Sequence, residues 1–275
     1  MDVYSPQTLE HALGLLAARD ALPAAGCTDL LVNVKRGKIV KQTIVDITGI
    51  PELARINQTD RGVTVGGAVT FSHLEDRFLG TPYACLSQAA AQVGGPQIRN
   101  RGTIAGNVSS GSPASDGAVA LLALDAELTL EKAKGYRTLP IAEFFRGYAA
   151  TALEPGELIT RIHIAPRLGN SAFVKLGKRN ALAISIVSLA ICLEMDGDIV
   201  TDIAVALGSV APTPMRARGS EAFLRGQSLR QDVIRHSVQL LSEELRPISD
   251  LRGNAEYRLA VAQELFSDLL ERRLR

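Results

Sequence analysis

The segment QIRNRGTIAGNVSSGSPASD, residues 97–116, is rich in glycine and serine and almost free of bulky side chains. On either side lie ACLSQAAAQVG (84–94) and DGAVALLALDAEL (116–128), both made of small and aliphatic residues able to pack as helices. Bare backbone between two packing segments predicts a stretch reserved for something other than core. Thr103-Ile104-Ala105-Gly106-Asn107 offers a glycine for close approach, a hydroxyl and an amide, and Ser109, Ser110, Ser112 and Ser115 continue the polar run to Asp116. Successive amides of this kind form an anion-binding concavity, and Asp116 is an acceptor suited to ribose or ribityl hydroxyls. Without a ligand the same residues make a solvated loop with Asp116 capping the next helix. Such a loop seldom needs so long a run of small polar residues.

A second small-residue loop lies upstream. TLEHALGLLAAR (8–19) has apolar residues at helical spacing, with Thr8 as its cap. LPAAG (22–26) reads as a short buried strand, and Thr28 or Asp29 can cap the next helix, DLLVNVKRG (29–37), which stops at Gly37. The loop Ala24-Ala25-Gly26-Cys27-Thr28-Asp29 therefore joins a strand to a helix start, where unpaired amides and a threonine hydroxyl suit a phosphate. Taken alone it is better read as a tight turn with a cap, and it is not the GxGxxG fingerprint of a nicotinamide fold. Two such loops fit a ligand with two phosphates and a long polyhydroxyl stem. FAD answers that description.

TIVDITGI (43–50) is predicted as a strand, GVTVGGAVTFSHLED (62–76) as paired strands turning into a helix, and ELITRIHIAP (157–166) as a further strand. Hairpins are expected at Lys134-Gly135 and around Met195–Asp198, and three helical stretches close the chain. The boundary between two domains is placed near residues 166–171.

The 275 residues are 46% hydrophobic and 21% charged with a formal net charge of +1, the composition of a globular protein with no nucleic-acid footprint. No apolar run reaches the ~20 residues of a membrane span. The N-terminal MDVYSPQTLEHAL lacks the layout of a signal peptide, so a cytoplasmic location is expected. Cys27, Cys85 and Cys192 are scattered and too few for an iron–sulfur cluster, and His11, His73, His163 and His236 show no metal-ligand spacing. The chemistry is therefore expected from an organic cofactor or a partner chain.

At these residues the chain resembles the FAD-binding middle subunits of molybdenum hydroxylases, the flavoprotein chains of carbon monoxide, xanthine and nicotinate dehydrogenases. Their motif AGGTDLL is matched by Ala25-Gly26-Cys27-Thr28-Asp29-Leu30-Leu31, and QIRNxGTIGGN by residues 97–107. SPxSD is matched by Ser112–Asp116, and FxKxxxR by Phe173, Lys175 and Arg179. The likeness runs from about residue 3 to the C-terminus. It implies an α+β protein: the two-subdomain FAD-binding fold of the vanillyl-alcohol-oxidase (PCMH) type over residues 1–168, with subdomains of about 1–55 and 56–168, then a C-terminal α+β domain over 169–275.

The resemblance also implies one non-covalent FAD, with residues 22–29 (Ala24, Ala25, Gly26, Cys27, Thr28 and Asp29 among them) and Thr103, Ile104, Ala105, Gly106 and Asn107 on its phosphates. It puts Asp116 on the ribityl or adenosine side, and Val93, Ile159 and Lys175 near the isoalloxazine. On their own, Val93 and Ile159 read as core and Lys175 as a surface cation. Cys27 and Ala105 stand where the pattern has glycine, and a side chain fits there only at negative φ and clear of the pyrophosphate. Cys27 itself reads as a small structural cysteine. By resemblance the chain is an oxidoreductase subunit in a dimer of heterotrimers. A large molybdopterin-binding subunit oxidises the substrate, a small subunit carries [2Fe-2S] clusters, and FAD passes the electrons to NAD or another acceptor. A flavin-free scaffold and a self-contained flavin oxidase are the rival readings.

Overall fold

The computed structural model describes residues 2–40, 43–179 and 182–272. Its first part runs strand Asp2–Tyr4, helix Leu9–Ala18, strand Ala21–Ala24, helix Leu30–Lys35 and strand Thr43–Asp46. Thr8 caps the first helix by accepting from the His11 amide at 3.3 Å, and Ala12, Leu13 and Leu16 turn inward at helical spacing. The three strands form a parallel sheet with Thr43–Asp46 in the middle. The Ala24–Asp29 loop thus leaves the carboxyl end of a parallel strand, the side on which open α/β sheets bind ligands.

The second part is built on a five-stranded antiparallel sheet in the order Ile56–Thr59, Gly62–Gly66, Leu158–Ile164, Glu127–Lys132, Gly135–Pro140. The expected hairpin is present, with Lys132 paired to Gly135 and Gly135 at φ 129°, a value that favours glycine. Helices Ala84–Ala91 and Asp116–Ala123 pack against this sheet. All eight residues of Asp116–Ala123 are buried, because a second sheet covers its other side.

That second sheet is antiparallel: Asn170–Gly177, Ser185–Asp196, Ile199–Gly208 and Met215–Arg216. Its period-two pattern separates by size. Ala190, Cys192, Ala204 and Ala206 belong to the core shared with the two helices of the second part. Leu189, Ile191, Leu193, Ile203, Val205 and Leu207 belong to the core under the C-terminal helices Arg218–Leu224, Gln231–Glu244 and Ala255–Glu271. Small residues on one face let the buried helices approach closely, and large ones on the other fill a three-helix layer. Both faces are covered, so the strands read as near-continuous apolar runs.

One element departs from expectation. The glycine–serine segment is not an open loop throughout: Pro96–Arg99 and Ile104–Ser109 are helical. Glycine, serine and asparagine are poor helix formers. Here tertiary packing overrides them, with Ile104 and Val108 fully buried, Ala105 nearly so, and Thr103 capping the Gly106 amide at 3.2 Å.

Candidate cofactor site

A cavity of about 630 Å³ opens between the first sheet and the second part of the chain, a size in the ~300–1,000 Å³ range of cofactor and small-molecule pockets. Its walls include Ala25, Gly26, Cys27, Thr28 and Asp29 from the first loop, and Thr103, Ala105, Gly106 and Asn107 from the second. Val93 and Ile159 join them, so most of the residues singled out in the sequence converge on one space.

The two loops contribute differently. Asp29 stands at the start of helix Leu30–Lys35, but neither it nor Thr28 makes a capping hydrogen bond. The amides of Gly26, Cys27, Thr28 and Asp29 have no acceptor among the described residues, and nor has the Thr28 hydroxyl. In the second loop the amides are already spent: Ile104 donates to the Val69 carbonyl at 3.0 Å, Ala105 to Gly67 at 3.3 Å and Asn107 to Thr103 at 3.0 Å. Of residues 103–107 only the Thr103 amide lacks an acceptor among the described residues, so the expected nest is absent; the helix and the turn after strand Gly62–Gly66 consume the rest. What this side offers is space. A Cβ on Gly106 would meet only the Thr103 hydroxyl, at 2.9 Å, and otherwise enter the cavity. Asn107 accepts from Ser115 at 2.6 Å through its oxygen, while its NH₂ has no acceptor among the described residues.

Gly26 sits where the loops touch. A Cβ built on it would lie 1.9 Å from the Arg101 carbonyl oxygen and 2.9 Å from the Gly102 Cα. Its missing side chain serves loop-to-loop contact.

Cys27 overturns an expectation. It adopts φ 61°, the left-handed conformation that favours glycine, and lines the cavity half-buried. Burial pushes its thiol above the ordinary range, with the Asp46 charge adding to the effect, so it is held as a neutral thiol. Cys27→Gly should stabilise the protein by roughly 0.5–1 kcal/mol, the relief of left-handed strain less the added freedom of the unfolded chain. Urea unfolding of the two proteins checks this, and a less stable Cys27→Gly would show that thiol packing outweighs the strain. Ala105 takes no such conformation; its Cβ lies 3.3 Å from where a Cβ on Gly67 would fall.

Four of the expected residues are not in the cavity wall: Ala24, Ile104, Asp116 and Lys175. Ala24 ends a strand, and Ile104 is fully buried core. Asp116 and Lys175 form a buried ion pair of 2.6 Å, with side chains only 6% and 7% exposed. The other Asp116 oxygen accepts from Ser185 at 2.5 Å, and Lys175 also donates to the Gln92 carbonyl at 3.0 Å. Burial raises the Asp116 carboxyl above its usual range, against the opposing pull of Lys175. Lys175 is thus no surface cation.

Several wall residues went unnoticed in the sequence, among them Gly67, Leu153, Glu157 and Ile184. Gly67 carried a readable signal, since Gly66-Gly67 ends a strand pattern. A Cβ on Gly67 would come within 2.1 Å of the Ile159 carbonyl. A register shift at Thr160, between Ile159 and Arg161, interrupts the ladder there.

Free amides, a hydroxyl and open glycine space, with no lysine or arginine in the described wall, suit an extended anionic ligand met by backbone dipoles. Residues 1–167 match the FAD binding domain in molybdopterin dehydrogenase, and residues 172–272 the CO dehydrogenase flavoprotein C-terminal domain. The chain belongs to the family of FAD-binding subunits of molybdopterin dehydrogenases, and it is an oxidoreductase subunit. It is 32% identical to the nicotinate dehydrogenase FAD-subunit of Eubacterium barkeri, over 98% of this chain and 96% of that one. With the carbon monoxide dehydrogenase medium chain of Hydrogenophaga pseudoflava it shares 30%, over 96% and 93%. It superimposes on a chain of the solved carbon monoxide dehydrogenase of that organism with a TM-score of 0.92, covering 98% of this chain and 96% of the other at 30% identity. The fold is therefore the FAD-binding one expected, with its C-terminal domain.

Proposed function

We propose that the chain binds one FAD non-covalently in this cavity, its pyrophosphate against the free amides of residues 26–29 and the open side of Gly106. In this reading it is the electron-transfer subunit of a molybdenum hydroxylase complex. Electrons arrive from [2Fe-2S] clusters on a small partner subunit, after substrate oxidation on a large molybdopterin-binding subunit, and leave for NAD or another acceptor. FAD supplies the redox chemistry, since it exchanges electrons both singly and in pairs. The protein's own residues bind, orient and shield it. The observation that carries the reading is the row of unpaired donors at 26–29 in a cavity whose described wall has no lysine or arginine. Val93, Ile159 and Ile184 supply an apolar surface for a planar ring.

Two further features support a subunit rather than a self-contained oxidase. Ile98, Leu182 and Ile184 are 39%, 54% and 57% exposed, with Ile98 and Ile184 in the cavity wall itself, and apolar surface at such a place suits a protein partner. The relatives are named medium chain or FAD-subunit. A dimer of heterotrimers in the cytoplasm is the assembly we propose. Among the described residues no helix is long and apolar enough to cross a membrane.

The test is reconstitution of the purified chain with FAD. The wild type should show flavin absorption bands and release all its flavin on acid denaturation. Gly106→Leu should fill the cavity side of the site and weaken FAD binding at least tenfold; leucine is the better helix former, and the added Cβ must also displace the capping Thr103 hydroxyl slightly. Full occupancy in Gly106→Leu would remove this cavity as the site, and flavin retained after acid would remove the non-covalent reading.

A further inference from the structure

We infer that Arg137 acts on the cofactor site through Glu157: it neutralises a carboxylate buried behind the cavity wall, and is a positioning residue for an anionic cofactor rather than a contact to it. This rests on the FAD reading above.

Glu157 stands in the wall between Leu153 and Leu158, and its side chain is 1% exposed. Both its oxygens are committed. Oε1 accepts from Arg137 Nε at 2.8 Å; Oε2 accepts from Arg137 Nη2 and from the Glu154 amide, each at 2.8 Å. Arg137 Nη2 also donates to the Ala152 carbonyl at 2.6 Å, so one planar fork ties the carbonyl before Leu153 to the carboxylate that closes the turn. Arg137 itself lies on the outer strand Gly135–Pro140, outside the cavity wall and 39% exposed.

The described wall has no cation and two acids, Asp29 and Glu157. Asp29 is exposed and screened by water. The Glu157 carboxylate is out of contact with solvent, so its charge would be weakly screened from an anionic ligand in the cavity unless cancelled locally. Arg137 cancels it, and its hydrogen bonds hold the Glu157 carboxyl below the usual range. The other charged groups facing Glu157 are Glu154 and Lys132, which pair with each other at 2.8 Å.

The two halves of the pair are therefore unequal. Arg137→Gln leaves a buried anion beside an anionic ligand, whereas Glu157→Gln leaves a half-exposed cation that water solvates. FAD titrations of the full chain, followed by quenching of flavin fluorescence between pH 5 and 8, read this asymmetry. Glu157→Gln, a substitution in the wall itself, should lose less affinity than Arg137→Gln, and its loss should be flat in pH. Arg137→Gln should bind about tenfold more weakly at pH 8 and tighten as the pH falls and Glu157 takes up a proton. The double variant Arg137→Gln/Glu157→Gln should return to the Glu157→Gln value. Equal losses in both single variants, or a double variant that stays weak, would overturn the inference by making the pair merely structural. If Arg137→Gln does not fold, the double variant against Glu157→Gln decides: equal affinities support the neutralising role, and a tenfold gap overturns it. A wild-type chain that takes up no FAD would overturn the FAD reading itself.

Discussion

Gly26→Ala is expected to weaken FAD binding by about 10–100-fold and to lower stability by about 1–3 kcal/mol, from the addition of one methyl group. The reason is the neighbour that methyl would meet. It would be placed 1.9 Å from the Arg101 carbonyl oxygen and 2.5 Å from the Arg101 carbonyl carbon, and neither can swing aside as a side-chain tip would. The loops must part by roughly 1–2 Å to restore ordinary contact. That displacement moves the free amides of 26–29 away from the Gly106 side of the cavity, so the ligand can no longer touch both. Gly37→Ala is the control for backbone conformation: Gly37 has φ 69°, but a Cβ there meets nothing within 4 Å. It should lose some stability and leave FAD affinity unchanged. Isothermal titration with FAD and urea unfolding of both variants separate the effects. FAD affinity in Gly26→Ala equal to wild type would show that the loops do not grip the cofactor together.

Gly26 also marks where the sequence was legible and where it was not. That a glycine is needed in this loop is readable; that it faces Arg101 rather than a phosphate is not, because the partner lies 75 positions away. The adjacent Cys27 shows the converse, since a β-carbon at φ 61° contradicts local preference and is held only by the contacts around it. Strong local signals were read correctly: the Thr8 cap, the turn at Gly135, and the Met195–Asp198 hairpin, where Gly197 takes φ 55°. Helix Ile104–Ser109 is not legible in the sequence, because its residue types are poor helix formers and its stability comes from buried Ile104 and Val108. A helix spends its own amides, so the free N–H groups had to come from the other loop.

Residues that act through long-range pairing left little trace. Glu157 reads as the polar start of a strand, and nothing local points to Arg137 twenty residues earlier. Asp116 is singled out by the serine-rich run and Lys175 through the family motif, each on the cofactor side. The fold gives them each other, across 59 residues, at the junction of helix Asp116–Ala123 with the C-terminal sheet.

Lys175→Met should therefore be a stability variant first, costing about 3–5 kcal/mol because it strands a buried carboxylate, and lowering Tm by on the order of 10 °C. The Asp116 carboxyl is already raised by burial, and Lys175 is the foremost influence pulling it down. Without that lysine the folded-state pKa rises further above the unfolded one. A carboxyl with a raised folded pKa favours the folded state at low pH, and this contribution is lost as the pH climbs through the folded pKa. The deficit of Lys175→Met should thus be largest at high pH and shrink as the pH is lowered through the raised folded pKa and Asp116 takes up its proton. Asp116→Asn/Lys175→Met removes both charges, keeps an oxygen for Ser185, and should recover most of the loss at every pH. The cavity should feel the single variant only indirectly. Lys175 holds the Gln92 carbonyl next to Val93, so that wall residue loses its anchor, while Asp116 keeps its bond from Ser185 next to Ile184. Thermal unfolding across pH, with FAD affinity measured on the same samples, tests both parts. A pH-independent loss below about 1 kcal/mol would show that the pair contributes little net stability, and would return Lys175 and Asp116 to the role of direct cofactor contacts.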